Sequence, residues 1–180
     1  MINTILSFDL WFENFLVSVR TPFWADVFRG ITFFGNTTTV IGIAVVVGIF
    51  LLRSKISRAY IAGLGIALIG AAGSAYVLKE LIGRVRPDGL IPLLTETSFS
   101  FPSGHATMAM ACYGFIAYFL CKLYPHSRRL VLIGTTLVVL SIGFSRLYLG
   151  VHFPTDVIAG YLVGGVWLWI GIQVTKKLRN

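Results

Sequence analysis

The segment Phe99-Ser100-Phe101-Pro102-Ser103-Gly104-His105-Ala106-Thr107 joins a polar stretch to a long apolar run that continues to about Leu123. A proline, a serine and a glycine directly before such a run mark a helix start. The first N–H groups of a helix lack internal partners and, with the helix dipole, make a site for an anion. Glycine at 104 lets another group approach the backbone closely. A histidine in that first turn can give a proton to a bound group or take one from it. On its own, Pro102-Ser103-Gly104-His105 is equally consistent with a capped helix carrying an incidental histidine. Its surroundings decide between the two.

Those surroundings are a membrane protein. The chain has 180 residues, of which 56% are hydrophobic and 12% charged, whereas a soluble domain carries about a quarter charged residues. The length suits one domain covering residues 1–180. Five spans are expected, each approaching the ~20 apolar residues that a bilayer requires. They run from about Thr37 to Leu52, Ala59 to Leu78, Ala106 to Leu123, Leu130 to Ile142 with extension to Leu147, and Val157 to Val174. Ahead of them, Asp9, Glu13 and Asn14 interrupt an aromatic run at helical spacing, which reads as an amphipathic helix in the membrane interface. That helix lacks the basic start and cleavage site of a signal peptide. Phe23 to Phe34 is interfacial in character, and Gly35-Asn36 signals a turn. The expected fold class is therefore all-α, a multi-pass bundle of five spans plus an N-terminal interfacial helix.

The formal charge of +8 would suggest nucleic acid or anionic lipid on a soluble protein. Here its placement explains it without a nucleic-acid partner. Arg53, Lys55 and Arg58, then Lys122, Arg128 and Arg129, then Lys176, Lys177 and Arg179 all fall on one side of the membrane. By the positive-inside rule that side is cytoplasmic. The first 35 residues then lie outside, either as a weakly charged tail that crosses or behind a further span upstream. Cys112 and Cys121 lie in one helix, on opposite faces and roughly 13 Å apart, too far to bridge. Nothing resembles a zinc cluster. Gly63, Ala67, Gly70 and Ser74 on the second span, and Gly160 and Gly164 on the fifth, form small-residue stripes that permit close helix packing.

Two further polar clusters sit where apolar runs end. Lys79 and Arg86 are seven residues apart, two helical turns, so they are expected to share a face, with distortion near Pro87. A lysine is a point charge and an arginine grips two oxygens at once, which suits a doubly charged oxyanion. Snorkelling at the interface is the plainer explanation for such residues, and for Arg84 it is the expectation. His152 and Asp156 are four apart, with Pro154 between them at a helix start. A carboxylate on one ring nitrogen fixes the tautomer and makes the other a better nucleophile. Arg146, at the end of the fourth span, can meet the same anion. The set Lys79, Arg86, Ser103, Gly104, His105, Arg146, His152 and Asp156 thus falls on one face of the membrane, where ionisable groups are costly and usually functional. These are the parts for metal-free phosphoryl transfer through a phosphohistidine.

The chain resembles the type 2 phosphatidic acid phosphatase superfamily. The match runs in order through Lys79 to Arg86-Pro87, Pro102-Ser103-Gly104-His105, and Ser145-Arg146 to His152 and Asp156. It spans about half the chain. Size and hydropathy are similar to those of the small bacterial lipid phosphatases, which usually carry six spans rather than five. The resemblance implies that His152 attacks phosphorus, that Asp156 orients it, and that His105 protonates the leaving oxygen and later activates water. It implies that Lys79, Arg86, Arg146, Ser103 and the Gly104 backbone hold the phosphoryl oxygens, with no metal and no cofactor. The implied substrate is a phosphorylated lipid in the bilayer, with phosphatidylglycerol phosphate, phosphatidic acid and undecaprenyl pyrophosphate all suitable. The loop from Asp88 to Ser98, with Ile91, Leu93, Leu94 and Phe99, is expected to shape the approach of substrate. Competing readings are a soluble relative, such as an acid phosphatase or vanadate haloperoxidase, which five apolar spans oppose, and a lipid transporter or scramblase with a vestigial site.

Overall fold

The computed structural model describes residues 2–54, 58–87 and 96–179, and among these all regular structure is helical. The helices are α1 (Ile2–Ser18), α2 (Pro22–Phe33), α3 (Thr37–Arg53), α4 (Ala59–Ile82), α5 (Gly104–Leu123), α6 (Arg128–Tyr148) and α7 (Pro154–Arg179). A short 3-10 turn, Pro125–Ser127, leads into α6. Ile91, Leu93, Leu94 and Lys55 lie outside the described residues.

Among the described residues four helices, α4 to α7, are long and apolar enough to cross a membrane. At 1.5 Å per residue, the 24 residues of α4 reach about 36 Å, enough for a hydrocarbon core of about 30 Å. Helix α3 has 17 residues, about 26 Å, and falls short alone. It continues through Phe34–Asn36 into α2, and the pair qualifies together as one span bent by 45°. The first expected span, Thr37 to Leu52, is therefore too short by itself, and with the segment read as interfacial it forms a bent pair with the shape of a broken span or a re-entrant loop.

The small-residue stripes set how the spans meet. A Cβ at Gly63 would lie 2.0 Å from Thr175 Oγ1 and 2.6 Å from the Gly171 carbonyl, and one at Gly70 would lie inside the Trp167 ring system. Trp167 Nε1 donates to Ser74 Oγ at 2.8 Å. The stripe on α4 is thus the seat of α7, which runs antiparallel to it. On the other side of α7, a Cβ at Gly160 would stand 2.7 Å from the Ser103 carbonyl, and one at Gly164 would stand 2.4 Å from that of Thr107. Helices α5 and α7 consequently run parallel, with their N-termini in contact. Both cysteines are free.

One apolar cluster (Leu51, Tyr60, Leu64, Ala67, Phe115, Phe119) fills the bundle at one end. A second (Val40, Ala71, Met108, Ala111, Cys112) lies nearer the other. The ends of α4 and α6 and the starts of α3, α5 and α7 are gathered at that second end. Arg53, Arg58, Lys122, Arg128, Arg129, Lys176, Lys177 and Arg179 belong to the opposite helix ends.

Helix α1 departs from its expected role in one respect. Phe8, Trp11 and Phe15 are exposed, as an interfacial helix requires, but Asp9 is fully buried and not on a wetted face. Leu16 packs with Ala25 of α2 and Tyr148 of α6, and α1 also touches α7. An ion pair with Arg84, described below, compensates the buried charge.

Candidate active site

Helix α7 starts with proline at its first position, where the missing N–H is no loss. Asp156, two residues on, turns its carboxylate back so that Oδ2 accepts from the Phe153 N–H at 2.9 Å, the acidic half of a capping box. The same oxygen lies 3.5 Å from His152 Nδ1, at the outer limit of a hydrogen bond. The four-residue spacing read from the sequence thus places carboxylate and ring together. The other ring nitrogen, Nε2, lies 3.3 Å from Arg86 Nη1. Burial pushes the His152 imidazole down to about 4, against the opposing pull of Asp156, and Arg86 and Arg146 push the same way as burial. The ring is therefore neutral near pH 7, with a lone pair on Nε2 when Nδ1 carries the proton toward Asp156.

Lys79 and Arg86 reach the site by a different route from the one their spacing suggests. Helix α4 stops at Ile82 because Gly83 takes a left-handed conformation, φ 60°, and its N–H closes on the Lys79 carbonyl. Arg86 lies beyond, on non-helical chain, so the two share no helical face. Both nevertheless donate to the Phe99 carbonyl, just before Pro102-Ser103-Gly104-His105. Arg86 also donates through Nε to the Ser98 carbonyl and through Nη1 to that of Val151, both at 2.7 Å. It therefore ties the first polar cluster to the other two. Burial lowers its pKa below the ordinary arginine value, against the opposing pull of Glu96 and Asp156.

Ser103 is the residue before the first turn of α5, yet its hydroxyl makes no cap. Its N–H donates to the Asp156 carbonyl at 2.9 Å. Its Oγ is buried and, among the described residues, has no hydrogen-bond partner. A Cβ at Gly104 would meet nothing within 4 Å, so packing within the chain does not call for glycine there. His105 Nε2 lies 2.7 Å from Asn36 Oδ1, in the α2–α3 link. A carbonyl oxygen only accepts, so with the amide so oriented the ring proton sits on Nε2 and Nδ1 is left as the acceptor. The Cδ2 edge of the same ring faces Gly35, where a Cβ would come within 2.9 Å. The Nδ1 edge is thereby turned away from that link. Arg146, His152, Arg86 and Lys79 all act electrostatically on His105.

Arg146 is 1% exposed and donates to Thr32 Oγ1 at 2.9 Å. It also pairs with Glu96, whose other oxygen lies 4.0 Å from Arg86 Nη2. Burial would raise the Glu96 pKa, but Arg146 and Arg86 outweigh it and hold the carboxyl below its ordinary value. Two guanidiniums from different segments thus converge on one oxyanion.

Sequence reasoning missed several neighbours. Arg84, read as a snorkelling residue, instead donates to Asp156 and to Asp9, each at 2.7 Å. Thr155 bonds Asp9 as well, through Oγ1 at 2.5 Å. Asn36 was read only as a turn residue, and Glu96 only as part of a loop. A lone aspartate in an aromatic helix was the signal for Asp9, but it fits a wetted face equally well. Among the described residues no group of three or more His, Cys, Asp or Glu side chains gathers as a metal site.

Residues 58–180 match the family model described as the PAP2 superfamily. The chain is 39% identical over 186 residues to phosphatidylglycerophosphatase B of Bacillus subtilis (strain 168), covering 99% of this chain and 88% of that protein. It is 28% identical over 191 residues to a lipid A 4'-phosphatase of Bacteroides thetaiotaomicron, covering 99% and 81%. Its fold superposes on the crystal structure of a transmembrane PAP2-type phosphatidylglycerolphosphate phosphatase from Bacillus subtilis with a TM-score of 0.90. That match has 34% identity and covers 97% of this chain and 88% of the other.

Proposed function

The chain belongs to the PAP2 superfamily and is a membrane lipid phosphatase, and on that premise we propose that it hydrolyses phosphatidylglycerol phosphate through a phosphohistidine on His152, without a metal ion. The observation that carries this reading is the His152 ring, with Asp156 against Nδ1 and Arg86 against Nε2. A neutral imidazole so placed directs a lone pair toward the side where the cations gather. Lys79, Arg86 and Arg146 hold the phosphoryl oxygens, helped by the Ser103 hydroxyl and the N–H groups at the start of α5. Attack by Nε2 forms the phosphorus–nitrogen bond as the bond to the lipid oxygen breaks. With the anionic phosphate bound, His105 takes up a proton at Nδ1, gives it to that oxygen as the bond breaks, and keeps the one on Nε2. It then takes a proton at Nδ1 from water, whose oxygen displaces His152 and releases inorganic phosphate. Donors fixed where charge develops are each worth about 10²–10³ in kcat. The basic helix ends lie opposite the site, which supports an extracytoplasmic active centre with a cytoplasmic C-terminus in the cell membrane.

The substrate follows the 39% identical relative, and a lipid panel tests it. Purified protein in detergent, given phosphatidylglycerol phosphate, phosphatidic acid and undecaprenyl pyrophosphate with chelator present, is expected to release phosphate fastest from the first. A preference for the pyrophosphate would overturn the substrate. Loss of turnover with chelator would overturn the metal-free mechanism. No release from any of the three would favour a transporter with a vestigial site.

A further inference from the structure

Arg84 stands between two carboxylates that are both fully buried, while its own side chain is 22% exposed. Nη1 donates to Asp156 Oδ1 at 2.7 Å and to Thr155 Oγ1 at 2.6 Å, and Nη2 donates to Asp9 Oδ2 at 2.7 Å. The guanidinium also lies over the Phe153 ring, 4.3 Å from its centroid. Asp9 is held from its other oxygen by the Thr155 N–H at 3.2 Å. The result is a chain of contacts, Asp9–Arg84–Asp156–His152, that begins in α1 and ends on the imidazole, its last link the 3.5 Å approach of Asp156 Oδ2 to a buried Nδ1 that has no hydrogen-bond partner among the described residues. Its first member lies well before residue 58, where the family match begins.

A buried charge with no partner is costly, and a partner removed from such a pair leaves that cost behind. Arg84 satisfies Asp156 Oδ1 and leaves Oδ2 to the Phe153 N–H and His152. It therefore fixes which oxygen meets the ring. It also opposes the negative charge that His152 feels, and Asp9 in turn opposes Arg84. We propose that Asp9 and Arg84 are positioning residues for phosphoryl transfer, aiming the Asp156 carboxylate and setting how much of its charge reaches His152. This rests on the reading of His152 as the nucleophile.

The two residues act with opposite sign. In Arg84→Gln, Asp156 and Asp9 act on His152 unopposed, the imidazolium is favoured, and the acid limb of the rate profile moves to higher pH. In Asp9→Asn, Arg84 acts unopposed and the limb moves to lower pH. Asp9→Asn/Arg84→Gln and Arg84→Lys both keep the sum of the three side-chain charges at its native value, and their limbs return toward the wild-type position. The other charged or titratable groups acting on His152 are Arg86, Arg146, Glu96 and His105. They are common to all variants, as is the titration of a shared substrate.

The experiment is the pH dependence of kcat and of kcat/KM for wild type and these four variants, on one lipid phosphate in detergent micelles. Thermal unfolding is recorded alongside. The expected result is limbs displaced in opposite directions for the two single variants, with kcat about 10–100-fold lower, as for other supports of a reacting group, and KM little changed. Limbs that stay fixed, or move the same way, would overturn the inference, because a purely structural loss has no sign. If one single variant does not fold, the other decides: a limb displaced in its stated direction that returns in the double variant supports the chain, and a limb that stays fixed, or a double variant displaced as far as the single one, overturns it. His152→Ala in parallel separates the two claims. Turnover retained there overturns the nucleophile, whereas turnover lost with immobile limbs in the other variants overturns only the role of Asp9 and Arg84.

Discussion

His105 illustrates how much a single contact decides. Its ring offers two nitrogens, and the bond from Nε2 to Asn36 Oδ1 commits one of them to the α2–α3 link. What remains for proton transfer is Nδ1. Asn36→Leu removes the acceptor and lets the ring turn. We expect kcat to fall by about tenfold to a hundredfold, part of the ~10²–10⁴ that general acid–base catalysis supplies. Asn36→Asp keeps an acceptor in place and should retain more turnover than Asn36→Leu. Steady-state kinetics on one lipid phosphate checks this, and Asn36→Leu with wild-type kcat would contradict it. His105, His152, Asp156, Lys79, Arg86 and Arg146 could be singled out from sequence because each stands in a short polar cluster at a membrane boundary, where ionisable groups have few roles. Asn36, Glu96 and Arg84 could not, since their meaning lies in partners 69, 50 and 72 positions away in the chain.

At the scale of elements, the site depends on how closely α5 and α7 approach. The start of α5 carries Ser103 and His105, and the start of α7 follows His152 and carries Asp156. Their separation is set by Gly160 and Gly164 against the carbonyls of Ser103 and Thr107. Gly164→Leu should force the pair apart, at a cost of the ~1–3 kcal/mol typical of overpacking, and lower both the unfolding temperature and kcat. Gly165→Ala is the control, because a Cβ there would meet Met110 Cε at an ordinary 3.7 Å. Thermal unfolding and turnover of the two variants should differ clearly, and equal behaviour would contradict this packing account. Helix positions were legible from apolar runs, and the stripes from glycine spacing. The end of α4 was not, because a left-handed Gly83 looks like any helix glycine in sequence. Nor was the bend between α2 and α3, where two short aromatic and β-branched segments meet at 45° and are apolar enough to enter a membrane only as a pair.

Over the whole molecule, polarity is divided by end. One end holds the buried Arg146, His152, Asp156 and Asp9, and the other collects the basic helix termini. Residues in three separated segments reach that first end because antiparallel spans return there, which the charge pattern alone made legible. The part played by α1 was not legible, since nothing local distinguishes Asp9 buried beneath Arg84 from Asp9 in water. The central claim is that these segments form one phosphoryl-transfer site with His152 as its nucleophile. The most direct test is rapid quenching of the enzyme with a lipid substrate carrying labelled phosphate, followed by mapping of the acid-labile label on the protein. The account predicts label on the peptide containing His152, and neither label nor turnover in His152→Ala. Label on another residue, or wild-type turnover in that variant, would contradict it.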